Sequence, residues 1–215
     1  MTTQRKNINN EQFFTNHETA RRLANWIKEQ EWYPSITRTI EPSAGDGSWL
    51  DIGLQVDEAY DIEPMHARVT KVDDWLTYDP GEVRGKTLYV GNPPFGRMGK
   101  LAKAFMNHCA KTGDYIAFIL PASMAKVTQI RQIDPHLHLI HQEDLLDETF
   151  RFERDGKVVS TVFQVWERRR ELRVDPRKRT ACSDFSFETT SEVTFESIAS
   201  QIIAKGLDKG LRKEI

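Results

Sequence analysis

Two cysteines, Cys109 and Cys182, are all that 215 residues contain, and neither has a partner at metal-ligand spacing. No disulfide framework and no zinc-type knuckle is therefore implied, and a reducing, cytoplasmic location is the default expectation. Long apolar runs are missing as well. None approaches the roughly eighteen residues of a membrane span, and Met1-Thr2-Thr3-Gln4-Arg5-Lys6 lacks the apolar core of a secretory signal. Net charge is nearly absent, at -2. Any affinity for nucleic acid must come from a local patch and not from the whole surface. No internal repeat is visible. What remains is an apolar fraction of 39%, enough for one core, which points to one domain of ordinary size with at most a small appendage.

The chain is organised around Gly91-Asn92-Pro93-Pro94-Phe95-Gly96, which follows a buried-strand pattern, Thr87-Leu88-Tyr89-Val90. Consecutive prolines remove two backbone donors and fix two φ angles near about -65°. The Asn92 side-chain oxygen and the Pro93 carbonyl can then be held as neighbouring acceptors. Phe95 adds a flat apolar face between glycines that let the backbone pass close to a ligand. Two converging acceptors beside an aromatic face suit a planar ring bearing an exocyclic amino group. An ordinary strand-to-helix turn with a core Phe would use the same residues, so the rest of the chain decides.

Thr15 and Glu18 have capping-box spacing, and Ala20, Leu23, Ala24, Trp26 and Ile27 recur at helical intervals, predicting a helix from Thr15 to about Glu31. Phe13 and Phe14 stand just before it. The β-branched run Ile36–Ile40 predicts a strand, leading into Glu41-Pro42-Ser43-Ala44-Gly45-Asp46-Gly47-Ser48. Gly45 and Gly47 allow a sharp turn at a helix start, where polar or anionic groups bind, although a bare Gly-x-Gly reads first as a turn. A two-turn helix from Trp49 to about Leu54 and a strand over 58–62 are expected next. Asp61 lies 14 residues past Gly47, at the carboxyl end of the second strand, where a doubly wound fold holds a ribose. Val72-Asp73-Asp74-Trp75-Leu76 reads as a surface Asp pair before a core Trp, or as a ligand contact.

Leu101, Ala104, Phe105 and Cys109 share one face of a later helix, with Lys100, Lys103 and Lys111 outside. Tyr115–Leu120 is almost continuously apolar, as a fully buried parallel strand would be. Pro121-Ala122-Ser123-Met124 leads into a short helix. His136–His141 alternates as a half-exposed strand, and its histidines read as surface residues and not as a metal site. A loop from Thr149 and a long strand ending at Trp166 follow. Residues 168–179 hold seven basic and two acidic side chains. Such a tract reads as solubilising or, beside a nucleic-acid enzyme, as phosphate-contacting. Residues 181–215 include an amphipathic stretch with Phe195, Ile198, Ile202, Ile203 and Leu207, expected to be a helix packing back on the domain.

Taken in order, these strings resemble the amino-methyltransferases, which methylate adenine N6 from S-adenosylmethionine (SAM). Asn92-Pro93-Pro94-Phe95 resembles their motif IV and Glu41–Gly47 their motif I. Phe13-Phe14-Thr15 is similar to motif X, with Asn16 where Pro is common. Asp61-Ile62-Glu63-Pro64 and Asp74-Trp75-Leu76 are similar to motifs II and III. The order X, I, II, III, IV is that of the γ-type enzymes, and the resemblance spans roughly residues 11–167. It implies an α/β, Rossmann-like class I SAM-dependent methyltransferase fold: a seven-stranded, mostly parallel sheet whose last strand is antiparallel.

The resemblance also implies roles. SAM would contact Phe14, Thr15, Glu41, Ser43, Gly45, Gly47, Asp61, Ile62, Asp74, Trp75 and Asn92. Asp61 would take the ribose, with Glu63 as the alternative, and Asp74 the adenine amino group. Catalysis would fall to Asn92, Pro93, Pro94 and Phe95, with no general base and no metal. Arg97, Lys100, Arg168, Arg169 and Arg170 are expected to touch nucleic acid. Residues 1–10 would be a flexible terminus, 11–167 the catalytic domain, and 168–215 a basic segment with a small helical extension. The activity implied is N6-methylation of a flipped-out adenine in DNA, or of adenine in RNA, since the same motif serves both polymers. The intact motif set speaks against a non-catalytic SAM- or nucleic-acid-binding module. Phe95 and the motif X segment tilt the reading away from protein glutamine methylation, where the aromatic is usually Tyr. Only 48 residues follow Glu167. That leaves room for a short recognition sequence, a recognition partner or homodimer, or a structured RNA read by shape.

Overall fold

The computed structural model describes residues 14–81, 84–145 and 160–175. Seven strands, β1 (Ile36–Glu41), β2 (Glu58–Asp61), β3 (Thr70–Lys71), β4 (Lys86–Gly91), β5 (Tyr115–Pro121), β6 (Leu137–Leu145) and β7 (Thr161–Arg168), form one sheet in the order β3-β2-β1-β4-β5-β7-β6. The pairs from β3 through to β5 are parallel. Strand β7 runs antiparallel between β5 and β6. This is the expected class.

Period-two alternation explains the layers. In β5, Tyr115, Ala117 and Ile119 join the core beneath α1 (His17–Lys28), together with Leu23, Ile27 and Phe163. Their neighbours Ile116, Phe118 and Leu120 face the opposite core, with Phe105, Met106 and Cys109 of α2 (Lys100–Cys109) and Trp166. A strand buried on both faces has no polar side to show, which is why Tyr115–Leu120 reads as an unbroken apolar run. No helix among the described residues is long and apolar enough to cross a membrane.

Several expectations need correcting. Helix α1 is capped by Asn16, whose Oδ1 accepts from the Glu18 N–H at 2.9 Å. Thr15 is instead buried just ahead of the cap, 2% exposed. The helix stops at Lys28, short of Glu31, and a tight 3₁₀ turn containing Pro34 follows at Tyr33–Ser35. The helix expected over Trp49–Leu54 does not form. Arg68 explains the substitute: its guanidinium donates to the carbonyls of Leu50 (3.1 Å) and Val56 (3.0 Å), supplying from outside the bonds a helix would have supplied within. Trp49, Leu50, Ile52 and Leu54 are all buried on this irregular turn. Strand β3, two residues long, is too short to carry a pattern, and β6 extends to Leu145. Strand β7 takes in Arg168. The expectations for residues 1–10, Phe13, the loop from Thr149 and the helix within 181–215 lie outside the described residues.

Candidate functional site

Sheet order reverses between β1 and β4, which are neighbours although far apart in sequence. Loops leaving the carboxyl ends of such strands diverge and open a crevice. Here the crevice is a cavity of about 550 Å³. The loop after β1 lines it with Glu41, Ser43, Gly45 and Asp46, and the loops after β2 and β3 with Asp61, Ile62, Asp73, Asp74 and Trp75. The turn after β4 contributes Asn92, Pro93, Pro94, Phe95 and Arg97, and Phe14 and Thr15 come in from the N-terminal side.

Two glycines make the close approaches possible. Gly45 has φ +49°, and a Cβ there would sit 3.3 Å from Cε1 of Phe14. Gly91 has φ +138°, and a Cβ there would sit 3.3 Å from Cγ of Glu41. Asp61 holds the first loop by accepting from Gly45 N–H and Glu63 N–H, each at 2.8 Å. Asp74 Oδ1 accepts from Leu76 N–H at 2.9 Å. The Ser43 hydroxyl donates to the Asn92 carbonyl at 3.3 Å, joining the loop after β1 to the turn after β4. Phe95 is 5% exposed, and its carbonyl accepts from the N–H groups of Leu101 and Ala102. The turn is thereby anchored on the first residues of α2.

The lining is acidic. Glu41, Asp46, Asp61, Asp73 and Asp74 face a single basic side chain among the described lining residues, Arg97. Glu41 is 2% exposed and its Oε2 has no hydrogen-bond partner. Burial pushes its carboxyl well above the usual carboxylate range, and the nearby charges of Asp46 and Asp61 push it the same way.

The structure does not bring all the nominated residues together. Gly47 stands outside the cavity, where the His66 ring fills the space a side chain would need, 2.8 Å from the ideal Cβ position. Lys100 is exposed at the start of α2, beside the lining and not in it. Arg168, Arg169 and Arg170 are at the other end of the sheet. They surround a separate hollow with Asp114 and His136, about 20 Å away by the length of seven-residue β5. No helix N-terminus follows Gly47, so the anion-binding arrangement expected there is absent. Sequence reasoning passed over Asp46, Asp73 and Phe105 as lining residues. Asp46 was visible inside the Glu41–Ser48 string, and Asp73 as half of the Asp pair.

No family model matches the sequence, and no curated protein matches it in sequence. Solved structures do match in fold. The 23S rRNA methyltransferase ErmE is 16% identical, with 76% of this chain and 72% of that one covered at a TM-score of 0.52. A putative class I S-adenosylmethionine-dependent methyltransferase from Listeria monocytogenes is 11% identical, with 94% and 72% covered at a TM-score of 0.53. The modification subunit of a putative type I restriction enzyme from Vibrio vulnificus is 12% identical, with 73% and 44% covered at a TM-score of 0.52. The chain has the class I methyltransferase fold. In that fold the cavity lies where strand order reverses, at the carboxyl ends of β1 and β4.

Proposed function

We propose that this chain uses SAM to methylate the N6 amino group of adenine in nucleic acid, with DNA as the first substrate to test. One observation carries the reading. The Gly45–Asp61–Asp74 side and the Asn92–Phe95 turn, read separately from sequence as a cofactor site and a base site, line one cavity.

The residues fit SAM. The volume lies within the range of small-molecule sites. A lining of four aspartates, the buried Glu41 carboxyl and one arginine suits a ligand carrying a sulfonium and an ammonium, and disfavours a dinucleotide with its phosphates. Asp61 and Asp74 offer acceptors for ribose and adenine groups, and the buried Glu41 carboxyl faces the same space. SAM supplies an electrophilic methyl group. The protein supplies the rest. The Asn92 side-chain oxygen and the Pro93 carbonyl accept the two N6 protons. That favours a pyramidal nitrogen and stabilises the positive charge that develops on it. Phe95 gives the ring a stacking surface, which offsets part of the cost of drawing a base out of a duplex. The proton leaves after transfer, so no strong base is needed.

Among the fold neighbours are one whose name gives rRNA as its substrate and one that is a modification subunit of a restriction enzyme. Tritiated-SAM labelling of DNA, RNA and protein pools, followed by nucleoside analysis, tests the reading. N6-methyldeoxyadenosine is the expected product. Label in RNA N6-methyladenosine would move the substrate to RNA. Label confined to protein would overturn the base-methylation reading, and no label in any pool would leave a binding module.

A further inference from the structure

Residues 96–99 form the rim between the Asn92–Phe95 turn and α2. Met98 is the one non-glycine residue with positive φ among the described residues, at φ 57° and ψ 31°. Side chains of L-residues rarely adopt that geometry, and at functional sites such strain is often retained for a purpose. The glycines around it press against the fold: a Cβ at Gly96 would lie 2.8 Å from Cγ of Leu101, and one at Gly99 3.3 Å from Sδ of Met124. Met98 is instead turned outward and is 75% exposed. No packing among the described residues accounts for an exposed apolar side chain on strained backbone. Its neighbours Arg97 and Lys100 are exposed cations with no side-chain hydrogen bond or ion pair among the described residues.

An apolar tip between two free cations, on the rim of a cavity that takes a base, matches what a duplex needs when a base leaves it. The vacated step must be filled and the flanking phosphates held. We propose that Met98 is a positioning wedge that enters the gap left by the target adenine in duplex DNA, with Arg97 and Lys100 on the flanking phosphates. This inference rests on the base-methylating function proposed above and narrows its substrate to duplex. An unbranched thioether suits the task, because it adapts to any neighbouring base pair and carries no sequence preference.

The test uses the full chain and unmethylated plasmid DNA, native and heat-denatured, with tritiated SAM. The readout is the ratio of label in native DNA to label in denatured DNA. With a few kcal/mol of unstacking to offset, Met98→Gly and Met98→Ala should lower that ratio about tenfold or more, and Met98→Leu should restore most of it. Glycine relieves the positive φ, so Met98→Gly should melt no lower than wild type, and its loss cannot be ascribed to unfolding. Leu172→Ala, an exposed apolar change on the segment after β7, should keep the wild-type ratio. An unchanged ratio in both Met98→Gly and Met98→Ala would overturn the wedge, as would an equal fall in Leu172→Ala. Wild-type protein that labels only denatured DNA overturns the wedge and leaves the methyltransferase reading standing. Wild-type protein that labels neither form overturns the wedge, and label in the RNA pool then decides whether the base-methylation reading stands.

Discussion

The two ends of the sheet treat charge in opposite ways. At the amino ends of the strands, most of the arginines described are spent on the fold itself. Arg38 bonds both oxygens of Glu58 and the carbonyls of Pro80 and Gly81. Arg173 reaches the carbonyls of Ile130, Ile133, Asp134 and Leu137. Arg131 pairs with Asp175, and Arg169 with Glu167. At the carboxyl ends the pattern reverses. Arg97 and Lys100 are spare, Glu41 keeps a buried oxygen without a partner, and Met98 carries backbone strain. One end closes the domain, and the other holds back interactions that a ligand can use.

The strongest way to break this comparison is at the turn after β4. Asn92→Ala removes an acceptor whose value grows only as charge develops on the amino nitrogen. By analogy with loss of an oxyanion-hole donor, it should lower kcat by about a hundred- to a thousandfold, roughly 2.7–4 kcal/mol. SAM affinity measured by calorimetry should stay close to wild type. Wild-type single-turnover rates in this variant would mean the carboxyl-end turn is not where the chemistry happens.

A smaller effect contrasts the two sets of basic residues. Removing two phosphate contacts should flatten the slope of log K against log salt by up to about 1.8 units. Arg97→Ala with Lys100→Ala should show most of that change on plasmid DNA. Arg168→Ala with Arg170→Ala should show little. The opposite ranking would move the nucleic-acid surface to the amino end and return the tract at 168–170 to the role its charge suggests.

The smallest effect concerns Glu41. A carboxyl held above its ordinary value keeps its proton in the folded chain after the unfolded chain has lost it. Its contribution to stability is therefore greatest below the ordinary value of 4.5 and falls as pH rises toward the folded value. Glu41→Gln lacks this liability. Its melting temperature should exceed that of wild type by a margin that widens from about pH 5 to about pH 8 in the absence of ligand, read by differential scanning fluorimetry. A margin that does not change with pH would show that Glu41 ionises normally.

Much of this organisation was legible in the sequence because strand ends carry it. Glu41, Asp61 and Asn92 each stand at or just past the end of a strand pattern, and a parallel sheet delivers all such positions to one end. The same rule, followed through, places the arginines. An antiparallel last strand ends where its neighbours begin, so Arg168–Arg170 had to arrive at the amino end. Their nearness in sequence to the last strand does not by itself show which end of the sheet they occupy. Features that the sequence did not show have different causes. The irregular turn at Trp49–Leu54 depends on Arg68, whose reach across the fold no local pattern reveals. Gly47 satisfies the motif spacing but answers to the His66 ring. Asn16 outcompetes Thr15 for the cap because Thr15 is buried.

Because β1 and β4 are hydrogen-bonded neighbours, paired at Ile40 and Tyr89, the backbone acts as a ruler. Adjacent strands keep a spacing of about 4.8 Å whatever side chains they carry. The loop proposed to hold the methyl donor and the turn proposed to hold its acceptor leave from consecutive marks on that ruler. Their separation is inherited from main-chain geometry and needs no closing domain to set it. Slipping the register by one residue would turn every side chain of β4 to the opposite face. The reach of the reaction is thus calibrated by the same bonds that make the sheet, and loop residues can drift in identity without changing the scale.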